Sequence, residues 1–470
     1  MFWQKLTKTL KDDGFAINPY DWCVANKIID GHQCTVTWHV DDLKISHVNP
    51  NVVTDVIRLL DDEYGKINKL TVRRGKIHDY LGMNLDFSND GKVIISMLEY
   101  IKKLITESPD DMKGYAVSPA ADHLFQVRDD ATKLDTTTAD LFHHLVAQLL
   151  FVCKRVRLDI QTAVSFLCTR VKAPDTDDYK KLARVIKYLR RSKFLSLTLE
   201  ATSLNQMEWY IDGAFAVHKD MRSHTGIHMT MGKGGIISGS TKQKINTTSS
   251  TEAELVGVHD GMGSILWAMY FLDAQGYPAK PIKGVKSGIT IHQDNMSTML
   301  LAKNGRASSS KRTRHINIRY YFITDRIGRH EVQVKYCPTD DMIADFYTKP
   351  LNGGKFRKFR NLIMNCDYDD DNYDRNLESD SPNMIRAPKV VNNDDSTRPV
   401  SYKDVLCGSQ ECVGASRASQ VSMTRDGRTL WPREPRLSQP ANSSISMNKR
   451  VRFRSATGTA TLNQRRRANE

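Results

Sequence analysis

Trp209-Tyr210-Ile211-Asp212-Gly213-Ala214 belongs to an apolar stretch, residues 207–215, that reads as a β-strand with an acid toward its end. An aspartate on a strand that should be buried is uncommon without a chemical task. Working outward, residues 224–231 and 235–242 read as two further strands, with Gly232-Lys233-Gly234 as the turn between them. A long helix is expected over residues 250–275, then a strand over 288–293 that leads directly into a short helix. Residues 314–326 read as helix, 331–336 as strand and 340–347 as a short helix. Three antiparallel strands therefore precede the first helix, in the order βββαβαβα.

Three more acids fall at notable places in that order. Glu254 lies one turn into the long helix, in Ser249-Ser250-Thr251-Glu252-Ala253-Glu254-Leu255. Asp294 ends its strand in Ile291-His292-Gln293-Asp294-Asn295, and Asp345 lies on the last helix in Ile343-Ala344-Asp345-Phe346. Carboxylates gathered from separate elements repel one another unless cations join them. Two divalent ions at such a point can activate water and stabilise charge on a leaving oxygen, as phosphodiester hydrolysis requires.

Asp212, Glu254, Asp294 and Asp345 on these elements resemble the ribonuclease H site, and the words around them resemble its copia-type retrotransposon version. Those words are Ser249 to Glu254, Gln293-Asp294-Asn295, Lys311-Arg312-Thr313-Arg314-His315-Ile316, and Ala344-Asp345-Phe346-Tyr347-Thr348-Lys349-Pro350-Leu351. The resemblance implies a mixed five-stranded sheet with helices. It also implies cleavage of the RNA strand in an RNA–DNA hybrid, with two Mg²⁺ or Mn²⁺ ions at the four carboxylates. Glu254, rather than Glu252, matches the catalytic helix acid; Glu252 reads as an N-terminal charge favourable to the helix dipole. His315 and Arg314 read as nucleic-acid contacts, with a catalytic role for His315 the weaker alternative. Asn317 and Tyr321 depart from the Asp and His that the family often carries there.

Upstream, residues 33–39 alternate as a strand, Val40-Asp41-Asp42 turns, and residues 43–48 return. Asn51 is expected to cap a helix whose Val53, Val56, Ile57 and Leu60 share one face. Residues 80–87 and 92–97 flank the turn Asn89-Asp90-Gly91. The hairpin resembles the reverse-transcriptase turn in which Asp41 and Asp42 would hold polymerase metals, with His39 where an aromatic is usual. Tyr80-Leu81-Gly82-Met83-Asn84-Leu85-Asp86-Phe87 resembles the copia segment that supports the primer strand. The family's third metal carboxylate lies on an earlier strand, and Asp12, Asp13, Asp21 and Asp30 lack that apolar setting. Polymerisation by this chain on its own is therefore not expected, unless another chain supplies the absent portion.

The expected organisation is α/β and α+β: a partial reverse-transcriptase palm (1–97), a helical thumb or connection (98–204), a ribonuclease H-like domain (205–365) and a disordered tail (366–470). Three helices are expected in the second region, over 140–157, 158–172 and 175–192. On the third, Lys180, Arg184, Lys187 and Arg191 form a basic stripe that reads either as a solvated face or as a nucleic-acid contact. The tail opens on an acidic run and ends near Arg465-Arg466-Arg467, with too few apolar residues for a core.

The 470 residues carry a formal charge of +14, which favours RNA–DNA hybrid or single- or double-stranded nucleic acid as partner. No apolar run long enough for a bilayer and no signal-peptide pattern is read, so an intracellular protein without a membrane partner is expected, in cytoplasmic particles or the nucleus. Eight scattered cysteines point to neither a zinc site nor a disulfide framework. The competing reading is a non-catalytic nucleic-acid-binding remnant of a retrotransposon. An integrase or DNA nuclease on a related fold ranks lower, because neither would carry the upstream hairpin.

Overall fold

The computed structural model describes residues 2–66, 69–281, 287–305, 317–368 and 410–414. Its central feature is a five-stranded sheet ordered Ile237–Lys242, His224–Thr230, Met207–Ala214, Ile289–Gln293, Gln333–Tyr336. The first three strands are antiparallel neighbours. The last two run parallel to Met207–Ala214, which is why helices must connect them. Met207, Trp209 and Ile211 project to one face. There they join Ile289, Ile291 and, from the helix Ser250–Ala274, Leu255, Val258, Met262 and Ile265 in one buried cluster. Strand alternation puts Glu208, Tyr210 and Asp212 on the other face.

The long helix starts where Ser249 accepts the Glu252 N–H, and Glu252 Oε2 accepts the Thr248 N–H at 2.8 Å. Both contacts satisfy donors at the helix start that have no partner within the helix. Ser250–Ala274 is also, among the described residues, a helix whose length and composition would suit a membrane span. That corrects the expectation of no such apolar run. Here its apolar side chains fill the core of the sheet.

Two glycines let elements crowd the end of the Met207–Ala214 strand. A Cβ on Gly213 would stand 2.6 Å from the Ala253 carbonyl oxygen, so only glycine admits the first turn of the long helix. A Cβ on Gly226, the register partner of Asp212, would stand 2.5 Å from the Ala344 oxygen. The short helix Asp345–Thr348 packs in that space. Residues 340–347, expected as one helix, are instead a 3-10 turn Thr339–Asp341 and this short helix, so Asp345 opens a helix rather than sitting within one. Gly232–Lys233, expected only as a turn, pairs antiparallel with Leu197–Ala201.

That pairing ties the central sheet to a second one of five antiparallel strands: Ile77–Tyr80, Met83–Asp86, Lys92–Ser96, Leu197–Ala201 and Gly232–Lys233. The single strand expected over 80–87 is broken, because Leu81 and Gly82 both take positive φ (52° and 77°) and turn the chain. The helices Leu98–Glu107, Thr136–Cys153, Gln161–Cys168 and Thr176–Arg191 share one core. Gly353–Met364, a helix the sequence reading did not foresee, adds Phe356, Phe359, Ile363 and Met364 to that core. Within it, Arg157 and Asp159 are both fully buried. Their two-pronged pair (2.9 and 2.7 Å) is satisfied further by Ser192 and the Tyr188 hydroxyl.

Near the N-terminus, His32–His39 and Asp42–Ser46 form the expected hairpin, with Val40 at φ 57° in the turn and His39 opposite Asp42. The following helix, Pro50–Tyr64, is capped by Asn49, whose side chain accepts the Asn51 N–H, and not by Asn51. Pro50 needs no hydrogen-bond partner and suits the first helical position, which moves the cap one step before it. Val53, Val56, Ile57 and Leu60 pack on Cys34, Val36, Trp38 and Ile45. The expected tail lies outside the described residues apart from Cys366–Tyr368 and Gln410–Gly414. The latter is a strand paired antiparallel with both Asp42–Ser46 and Thr71–Arg74.

Candidate active site

Asp212, Glu254 and Asp294 come from three elements that meet at one end of the central sheet. One carboxylate oxygen from each lies within 4.8 Å of the others. Asp212 and Glu254 are buried and Asp294 is half-buried. Among the described residues this is the group of three acidic, histidine or cysteine side chains close enough to share an ion. An all-oxygen donor set of this kind suits a hard divalent cation.

Neighbouring polar groups hold the three side chains. Gln293 donates to Glu254 Oε2 at 3.2 Å and reaches the Ile211 carbonyl. Thr348 donates a short hydrogen bond to Asp212, and Thr339 donates to Asp294 Oδ2 at 3.0 Å. Burial drives the Glu254 carboxyl well above its ordinary range, and Asp212, hydrogen-bonded to it, adds to the shift, as does Asp294. Asp212 is raised too, by burial first and by Asp345, while Lys349 opposes the change. Without a cation the crowding and burial of these carboxylates favour their protonated forms.

Asp345 is buried but stands outside that group of three. Its Oδ1 lies 2.5 Å from Lys349 Nζ and its Oδ2 3.0 Å from Lys355 Nζ. Lys349 also lies 3.6 Å from Asp212 Oδ2, so the fourth expected ligand joins the cluster through an ammonium group. Burial would lower the Lys349 pKa, yet Asp212 and Asp345 hold it above the usual value. Lys349, Lys355, Gln293 and Thr348 carry no role expected from the sequence. Lys349 was visible four residues after Asp345, a spacing that on a helix puts two side chains on one face.

Other expected site residues are dispersed. Asp41 is exposed in its turn and Asp42 half-buried, and no third acidic, histidine or cysteine side chain joins them among the described residues. On the helix Thr176–Arg191, Lys180 is exposed, but Arg184 bonds inward to the Ser118 carbonyl and hydroxyl. Lys187 is half-buried and Arg191 is buried, so the four do not form one open basic stripe. Arg314 and His315 lie outside the described residues.

No family model matches the chain. It is 25% identical over 261 residues to a putative transposon Ty5-1 protein of Saccharomyces cerevisiae, covering 54% of this chain and 82% of that one. It is 26% identical over 326 residues to the retrovirus-related Pol polyprotein from transposon RE1 of Arabidopsis thaliana. The corresponding protein from transposon TNT 1-94 of Nicotiana tabacum is 24% identical over 299 residues. These two matches take in 69% and 62% of this chain but only 21% and 22% of the polyproteins, so the chain corresponds to about a fifth of their length. LC11-RNase H1, isolated from compost, superposes on 30% of the chain with a TM-score of 0.22 and 14% identity, a likeness too slight to bear on the fold.

Proposed function

Since the homologues of this chain are Ty/copia-type retrotransposon Pol polyproteins, we propose that it is a Pol fragment whose residues 205–365 cleave the RNA strand of RNA–DNA hybrids. The observation that carries this reading is the convergence of Asp212, Glu254 and Asp294 at one end of a mixed sheet ordered third, second, first, fourth, fifth. The resemblance read from the four sequence words points to the same substrate.

Asp212, Glu254 and Asp294 would hold Mg²⁺ or Mn²⁺, with Asp345 able to join once freed from its lysines. The bound metal would supply a water nucleophile at neutral pH and charge stabilisation at the departing oxygen. The chain's own part is to fix the ligands. Gln293 orients Glu254, Thr348 and Thr339 orient Asp212 and Asp294, and Gly213 brings helix and strand close enough for the carboxylates to meet. Both Asp212 and Glu254 must be ionised to bind a cation, so metal binding works against the upward shift that burial gives them.

The Asp41–Asp42 hairpin is read as the remnant of a polymerase palm that does not extend primers by itself. A second reading, a nucleic-acid-binding remnant without catalysis, draws its support from the two lysines that neutralise Asp345. Incubating the full chain with a labelled RNA–DNA hybrid and Mg²⁺ or Mn²⁺, beside Asp294→Asn, separates the two. RNA cleavage lost in the variant supports the enzyme, and hybrid binding without cleavage in either metal supports the remnant.

A further inference from the structure

Lys349 caps the end of the short helix that begins at Asp345, and its ammonium lies between Asp345 Oδ1 and Asp212 Oδ2 (2.5 and 3.6 Å). Lys355 covers the other Asp345 oxygen at 3.0 Å and also lies over the Phe359 ring. Both oxygens of the fourth carboxylate are thus taken by the chain itself. With all four carboxylates ionised, as metal binding requires, Asp212, Glu254, Asp294 and Asp345 with the two ammoniums carry minus two, which one divalent ion cancels. The Lys349 side chain is 42% exposed, and its stem is flexible.

We propose that Lys349 is a resident cation of this site: it holds the ground between Asp212 and Asp345 that a second divalent ion would need. The three-carboxylate group then takes one ion at low concentration. A second ion enters only by displacing the Lys349 ammonium. The inference rests on the metal-dependent reading above and adds to it a residue that sets how many ions the site holds. An ordinary surface ion pair would span two groups in water; this one joins two buried carboxylates, one of them a member of the metal cluster.

The test is Mn²⁺ binding to the full chain, read from the paramagnetic resonance of free Mn²⁺, for the unaltered protein, Lys349→Met, Lys349→Gln and Lys349→Arg. Glutamine keeps a donor toward Asp345 without the charge, which guards against a variant that misfolds. The unaltered chain and Lys349→Arg are expected to bind one ion tightly and a second weakly. In the Met and Gln variants the second ion should bind about tenfold tighter or more, the scale of removing one unit charge a few ångströms away. An isotherm for the second ion that is the same in all four proteins overturns the inference while leaving the first ion in place. No Mn²⁺ retained by any of them overturns both this inference and the metal-dependent reading beneath it.

Discussion

Gln293 donates its side-chain N–H to Glu254 Oε2 at 3.2 Å, so the residue immediately before one cluster carboxylate holds another in place. Gln293→Leu removes this bond and leaves the strand's apolar packing. RNA cleavage should fall by about 10–100-fold, the usual cost of losing a group that orients a metal ligand. Hybrid binding measured by fluorescence anisotropy should be unchanged, and an equal loss of binding would contradict the assigned role.

Asp294→Asn should do more than that, because it removes a ligand rather than its support. Cleavage should drop by more than about 100-fold. Asp294 is the half-buried member of the group, so the melting temperature should stay close to that of the unaltered chain. A variant that cuts as well as the parent would place the chemistry elsewhere.

Gly213→Ala tests the close approach that makes the cluster. The new methyl would meet the Ala253 backbone at 2.6 Å, which can yield only by moving the helix. A stability loss of about 1–3 kcal/mol is expected from the overpacking. Cleavage should fall by about 100-fold, the scale of a 1 Å misplacement. Urea denaturation and cleavage rates check the two effects separately.

The buried histidines predict how stability changes in acid. Burial pulls His224 and His228 down to about 3 and His218 to about 4, so each stays neutral in the folded chain at pH values where it is protonated when unfolded. The unfolded state binds more protons below about pH 6.5, so stability should be lost as pH falls from there toward 4. His228→Phe keeps a ring beside Tyr347 and removes one titrating group. Its melting temperature should fall less steeply over that window, at the cost of the Tyr347 hydroxyl bond at neutral pH.

Primer extension by the purified chain on a DNA-primed RNA template should give no product. Asp41 and Asp42 have no third carboxylate beside them among the described residues. Nucleotide addition abolished by Asp41→Asn would overturn this.

The acids at the end of the central sheet could be read from sequence because each sits where an unpaired charge is expensive: at a strand end or in the first turn of a core helix. The hairpin was legible for a similar reason, since Cys34, Val36 and Trp38 alternate with polar neighbours and every second residue is buried. The spacing of Lys349 from Asp345 was visible but its place at the cluster was not, because a lysine four places after an aspartate usually marks a solvent-facing pair. The burial of Asp345 depends on Gly226 admitting the short helix, a long-range contact. The Asn49 cap was missed because Asn51 also suits that task, and Pro50 decides between them. Gly232–Lys233 has the composition of a turn, and only the distant strand Leu197–Ala201 makes it a strand.

The helix Gly353–Met364 lies in sequence after the four carboxylates but packs into the core built by residues 98–200. The portion with the carboxylates and the portion before it are therefore halves of one fold, not beads on a string. A shortened chain could not discard residues 98–200 and keep this core closed. Phe356, Phe359 and Ile363 would be stranded in water. Selection acting on the carboxylate end would therefore also act on residues 98–200, whose core it shares.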